Sequence, residues 1–210
     1  MSIFDDMAHT WDDKPDRIER IRVVATRLRD VLDFDGVEAG LEYGCGTGQL
    51  SFALADLLPH CLLIDTSVEM LKAAERGTVD RKLPWDTERR NFATQSLDHP
   101  EGIADVLFCL QVLHHIDDLE TTIGNMTKAL RPGGQIALMD LPKGSSGFHH
   151  GTGHDPVHNP HLDGLDRDEL NQLLTGAGFS EITWHEDISL DREGEDGTVP
   201  YSLFLVTARI

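Results

Sequence analysis

The chain has 210 residues, enough for one α/β-sized core with a small appendage, and carries a net charge of -19 from 37 acidic and 18 basic residues. That field repels duplexes and anionic bilayers, no Lys/Arg run relieves it, and no apolar run approaches the roughly 18 residues of a membrane span. Neither a nucleic-acid nor a membrane partner is therefore expected. The three cysteines, Cys45, Cys61 and Cys109, are scattered, which argues against a disulfide framework. With no basic-then-apolar leader pattern, a cytoplasmic protein is expected.

In chain order, Phe4, Met7 and Trp11 are spaced like one face of a helix. Residues 16–31 follow as a clearer amphipathic helix, with Ile18, Ile21, Val24, Ala25 and Leu28 at three- and four-residue steps and Pro15 in its first turn. Residues 1–36 thus read as an N-terminal helical cap on a main domain of residues 37–210, packing on a sheet edge and walling a pocket with Trp11. Residues 40–43 read as a strand. Next comes Gly44-Cys45-Gly46-Thr47-Gly48, and then a helix over 49–58 closed by Pro59. Glycine admits backbone conformations that other residues resist and lets a ligand come close. The following helix offers unpaired N–H groups and a positive dipole end. Strand, glycine turn and helix start together make a nucleotide-type cradle.

Residues 61–65 form an apolar second strand of the kind buried on both faces, ending in Asp65. A carboxylate about 20 residues after the glycine turn is where ribose hydroxyls are gripped. Its plainer role is to cap the next helix, at 67–76, which Gly77 stops. Residues 90–94 read as a weak third strand and 104–110 as a fourth, with His114 and His115 just past its end. A helix over 121–130 and a fifth strand over 135–141 follow. Residues 143–164 are low in complexity and hold five histidines, His149, His150, His154, His158 and His161. A polar loop, a substrate lid and a metal site are the readings there. The histidine spacing is irregular for zinc, so no metal is expected. A helix over 165–176 precedes a hairpin of strands 182–190 and 200–210. The alternation predicts an α/β, Rossmann-like, doubly wound and mostly parallel seven-stranded sheet with a C-terminal antiparallel hairpin. Ligands in such sheets sit at the carboxyl ends of the strands.

Leu41-Glu42-Tyr43-Gly44-Cys45-Gly46-Thr47-Gly48 resembles the first motif of class I S-adenosylmethionine-dependent methyltransferases. Ile64-Asp65-Thr66-Ser67-Val68-Glu69-Met70-Leu71 resembles their strand-two motif, Val112-Leu113-His114-His115-Ile116 the segment after strand four, and Leu130-Arg131-Pro132-Gly133-Gly134 the turn before strand five. The resemblance implies S-adenosyl-L-methionine as methyl donor, bound by Glu42, Gly44, Cys45, Gly46, Thr47 and Gly48. It implies Asp65 on the ribose, Thr66 and Met70 beside the adenine, and Leu110 along the donor. Where family members often carry an acid for the adenine amine, counting back from Asp105 gives Ala93. Recognition there falls to backbone near Thr94. The implied activity is methyl transfer to a small-molecule acceptor, and a homodimer is compatible with the sequence. Should the acceptor need a base, His115, His114 and His150 are the candidates. The alternatives are a non-catalytic donor-binding module and a nicotinamide-dependent oxidoreductase. The oxidoreductase pattern places a third glycine where this chain has Gln49.

Overall fold

The computed structural model describes residues 3–97, 99–145, 148, 161–194 and 197–210. The chain opens with α1 (Ile3–Met7), a 3-10 segment (Ala8–Asp13) and α2 (Pro15–Val31). It continues through β1 (Ala39–Tyr43), α3 (Gln49–Ala53), β2 (His60–Asp65), α4 (Val68–Arg81), β3 (Asp86–Arg89) and β4 (Ala104–Leu110). A 3-10 turn (Leu113–His115), α5 (Leu119–Ala129), β5 (Leu130–Asp140), α6 (Arg167–Gly176), β6 (Ser180–Trp184), β7 (Ile188–Gly194) and β8 (Gly197–Arg209) complete it.

The sheet runs β3-β2-β1-β4-β5-β8-β6, parallel through β5 and antiparallel at β8 and β6, while β7 pairs with the free half of β8. Side chains alternate across β4 because a strand has a period of two. Val106 and Phe108 join the core under α2, α3 and α4, whereas Leu107 and Cys109 join the core under α5 and α6. Covering both faces demands the near-continuous apolar strands seen at β2, β4 and β5. Because β1 leads to β2 on one side while β4 lies on its other, the order reverses at β1/β4, and a crevice opens at the carboxyl end of β1.

Several elements differ from the sequence expectation. The third strand lies at Asp86–Arg89, not 90–94. Its register is set by β2, with Asp65 opposite Arg89, after which Asn91 Oδ1 takes the Ala93 N–H and bends the chain away. Being a polar edge strand, β3 has no apolar run to mark it. Helix α4 runs through Gly77 to Arg81 instead of stopping at Gly77. That glycine serves packing: a Cβ there would lie 2.5 Å from the Phe52 ring. Helix α3 is shorter than 49–58, since Leu54 and Leu57 make tighter i→i+3 bonds to Ser51 and Leu54. The predicted hairpin is present, but its first arm is split into β6 and β7 around His185 and Asp187.

Candidate active site

A cavity of about 660 Å³ occupies the crevice at β1/β4, a size suited to small molecules, whose pockets span roughly 300–1,000 Å³. Its floor is the turn after β1. Gly44 and Cys45 donate their N–H groups to Ile64 O at 2.7 and 2.9 Å, locking the turn to β2. Gly44, Gly46 and Gly48 all have positive φ. At Gly44, with φ +72°, a Cβ would also lie 2.1 Å from Val112 Cγ2, so both backbone shape and space require glycine. At Gly46 a Cβ would find nothing nearer than Trp11 Nε1 at 3.8 Å, so its backbone faces open cavity.

Two carboxylates flank the turn. Glu42 sits on β1, only 3% exposed, and accepts from Ser51 N–H and Oγ–H at 3.2 and 2.5 Å. Burial pushes its pKa up to about 8 against the pull of the Ser51 bonds. Asp65, at the end of β2, accepts from Gly46 N–H and Ser67 N–H, each at 2.8 Å. Burial raises its pKa too, opposed by these backbone bonds. A carboxylate has about four lone-pair sites, so Asp65 keeps acceptor capacity for a ligand. Ser67, not Asp65, caps α4, accepting the Met70 N–H.

The N-terminal segment lies over this floor. Asp12 accepts from Thr47 Oγ1 at 2.8 Å and Gln49 Nε2 at 2.9 Å, and Asp5 accepts from Ser67 Oγ at 2.6 Å. Trp11 lines the cavity, with the Arg17 guanidinium 3.6 Å from its ring centroid and Phe4 edge-on at 6.0 Å.

Past β4 the chain turns at Gln111, a non-glycine residue with φ +53°. His114, 1% exposed, follows, its Nδ1 bonded to Asp140 Oδ1. Asp140 is fully buried at the end of β5 and accepts Leu113 N–H at 2.8 Å and Leu141 N–H at 2.7 Å. The His115 ring packs 4.0 Å from that of His114 and 5.4 Å from Phe4, by centroid.

Of the residues singled out in the sequence, the cavity gathers Glu42, Gly44, Cys45, Gly46, Thr47, Asp65, Thr66, Met70, Leu110, His114 and His115. Gly48, Ala93 and Thr94 do not line it. Gly48 instead faces the Phe52 ring, and the turn after β3 presents Asn91 to the cavity. His150 lies outside the described residues. The sequence reading did not single out Asn91, Asp12, Arg20, Gln111 and Tyr201, which line the cavity, or Asp140, which bonds His114. Correct placement of β3 would have brought Asn91 to notice, and Asp140 lies one residue before the end of the predicted fifth strand and at the end of the observed β5.

A model of the family described as "Methyltransferase domain" matches residues 16–183. The ubiquinone biosynthesis O-methyltransferase of Aromatoleum aromaticum is 27% identical over 136 residues, which is 63% of this chain and 58% of that protein. The phosphoethanolamine N-methyltransferase of Triticum aestivum is 26% identical over 161 residues, 73% of this chain but 30% of that protein. The chain thus spans well under two thirds of either relative. In fold it is similar to the N-methyltransferase NodS of Bradyrhizobium japonicum, solved with S-adenosyl-L-homocysteine. That likeness has a TM-score of 0.63 and 21% identity, and covers 94% of this chain and 89% of that one. The family match takes in the glycine turn, both flanking carboxylates and the strands that carry them, and the chain belongs to the class I S-adenosylmethionine-dependent methyltransferase family.

Proposed function

We propose that the protein transfers a methyl group from S-adenosyl-L-methionine to a small-molecule acceptor. One observation carries this reading: a buried acidic side chain, Glu42, and a half-buried one, Asp65, bracket a glycine turn whose backbone is open to the cavity. The residues fit the donor. Glu42 has no cation beside it among the described residues, and an α-ammonium group would supply one. Asp65 has lone pairs left for ribose hydroxyls. Thr66, Met70 and Asn91 line the cavity beyond it, where a base would stack and bond.

When bound, the donor supplies a methyl group already activated by its sulfonium. The chain's own task is to hold the acceptor in line and keep water out, and positioning of this kind contributes roughly 7–11 kcal/mol to such a reaction. Phe4 and Trp11 on the N-terminal segment cover the site in this reading, which makes residues 1–36 a cap on the domain at 37–210. His114 is the best-placed base for an acceptor that must lose a proton. Asp140 takes the Nδ1–H and fixes the ring, leaving Nε2 as the nitrogen that accepts. His115 and His150 are the other candidates.

The test is calorimetric titration with S-adenosyl-L-homocysteine and, separately, with a nicotinamide dinucleotide. The first should bind and the second should not. The reverse outcome would move the protein to the oxidoreductases. Donor binding with no methyl transfer to any acceptor would favour a binding module.

A further inference from the structure

In a chain with a net charge of -19, the guanidinium groups are unevenly used. Arg22, Arg29, Arg131 and Arg167 are spent on surface ion pairs with Glu19, Asp56, Asp105 and Asp187. Arg17 and Arg20 line the cavity described above, as does Arg192. Among the described residues neither Arg17 nor Arg20 has a carboxylate within 4.0 Å. Asp16, beside Arg17 in sequence, accepts instead from the backbone N–H groups of Arg17 and Glu193, at 3.0 and 3.4 Å, and Glu19, beside Arg20, pairs with Arg22.

The polar groups around Arg20 are mostly donors with nothing to donate to. Arg20 Nη1 bonds Gln111 Oε1 at 2.6 Å, and its charge lies near enough to the Tyr201 phenol to oppose the rise in that group's pKa caused by burial. That bond occupies the side-chain oxygen of Gln111. Arg20 Nε and Gln111 Nε2 are buried and have no partner among the described residues. The Tyr201 phenol lines the same part of the cavity and brings a further O–H to give. Unpaired buried donors cost free energy, and a buried cation costs more. Gln111 is held in place by a left-handed backbone at φ +53°, with its N–H fixed to Met139 O at 2.8 Å. Strain of this kind in a non-glycine residue persists where the surroundings impose it, and it clusters at ligand sites.

We propose that this part of the cavity binds the methyl acceptor through an oxyanion, a carboxylate or a phosphoryl group, held by Arg20, Gln111 and Tyr201. The planar guanidinium fork of arginine matches both groups. Arg17 and Arg192 add to the positive field. The burial of Arg17 and the like charge of Arg20 pull the Arg17 pKa down against the smaller opposing pull of Asp16 and Asp12, and an anion at the site relieves the repulsion between the two arginines. This assignment rests on the reading of the same cavity as a methyltransferase site, but it has its own readout.

The 210-residue chain is titrated with benzoate, phenyl phosphate, benzamide and benzylamine, with and without saturating S-adenosyl-L-homocysteine. Benzoate or phenyl phosphate should bind at least fivefold more tightly than benzamide, and benzylamine should not bind. Preference for benzoate assigns a carboxylate, and preference for phenyl phosphate assigns a phosphoryl group. R20Q should weaken the preferred anion at least tenfold while S-adenosyl-L-homocysteine stays within twofold, which also shows that the variant is folded. Q111E, which sets a carboxylate beside the anion, should do the same. Equal binding of benzoate, phenyl phosphate and benzamide, or anion binding unmoved by R20Q and Q111E, overturns the proposal. Anion binding through Arg20 in a protein that ignores S-adenosyl-L-homocysteine would leave this site standing and remove the donor reading instead.

Discussion

The two parts of the cavity wall are built by different means. The proposed donor part is built mostly on one stretch of chain, from Glu42 through the glycine turn to Met70, with Asn91 added from the turn after β3, and at Gly46 it presents backbone to the cavity. The proposed acceptor part takes Arg17 and Arg20 from α2, Gln111 from the end of β4, Arg192 from β7 and Tyr201 from β8. Its residues come from separate elements. A ligand whose shape does not vary can be met by fixed backbone geometry. A site made of side chains on separate elements can change its ligand without disturbing the fold.

If the donor part depends on backbone, its weakest point is Gly44. Gly44→Ala forces a Cβ to within 2.1 Å of Val112 Cγ2 at φ +72°. Conformational strain and overpacking together should cost roughly 2–4 kcal/mol, lowering Tm by about 5–15 °C for a chain of this size. Adding Val112→Ala should recover the overpacking share and leave the strain. A Gly44→Ala protein with unchanged Tm and donor affinity would show that the backbone there is not what matters. Next in size is Asp65→Ala, which removes an acceptor from the donor part. Donor-product affinity should fall by roughly 1–3 kcal/mol, about fivefold to 150-fold, by calorimetry. Unchanged affinity would detach Asp65 from the ribose.

The same contrast decides what could be read from the sequence. The glycine turn, Asp65 and the order of strands and helices were legible because contiguous residues carry them. The donor part went wrong where pattern fails: β3 is a polar edge strand, so its end was misplaced and Asn91 was passed over for Ala93 and Thr94. Gly77 was read as a helix stop because a sequence cannot reveal that the Phe52 ring lies against it. The acceptor part was scarcely legible at all. Nothing in Arg20, Gln111 or Tyr201 singles it out until the sheet order brings β4 and β8 beside α2. His114 was noticed, but its bond to Asp140 needed the β4–β5 pairing to appear.

A smaller effect concerns protons. Glu42 ionises near pH 8 in the folded protein, against an ordinary value of 4.5. The folded state therefore holds this proton more tightly than the unfolded chain does. Ligand-free stability should decline as pH rises from about 5 to about 8, and Glu42→Gln should flatten that decline. An ammonium group bound beside Glu42 favours the ionised form. Donor binding at pH 7 should thus release a proton, and affinity should rise by up to about tenfold per pH unit before levelling above pH 8. Calorimetry in two buffers of different ionisation enthalpy measures the release directly. No proton release in the parent protein, or equal release in Glu42→Gln, would place the ammonium elsewhere.

The smallest expected effect tests whether the N-terminal segment belongs to the donor part. Asp12 joins that segment to the glycine turn through Thr47 and Gln49, and it is itself exposed. Exposed hydrogen bonds of this kind contribute at the low end of about 0.5–1.5 kcal/mol each, and here the carboxylate also competes with water. Asp12→Ala should leave Tm within about 2 °C, because the core under α2 and α3 is untouched. Donor-product affinity should nonetheless fall about threefold, chiefly through faster release, since Trp11 and Phe4 lose an anchor over the cavity. Limited proteolysis should cut residues 3–14 faster in the variant, and bound donor product should slow the cut in the parent protein more than in Asp12→Ala. If affinity for the acceptor-side anion changed instead, with donor binding unmoved, the segment would serve the arginine cluster through Arg17, which donates to Trp11 O at 2.9 Å, and the boundary between the two parts would have to be redrawn.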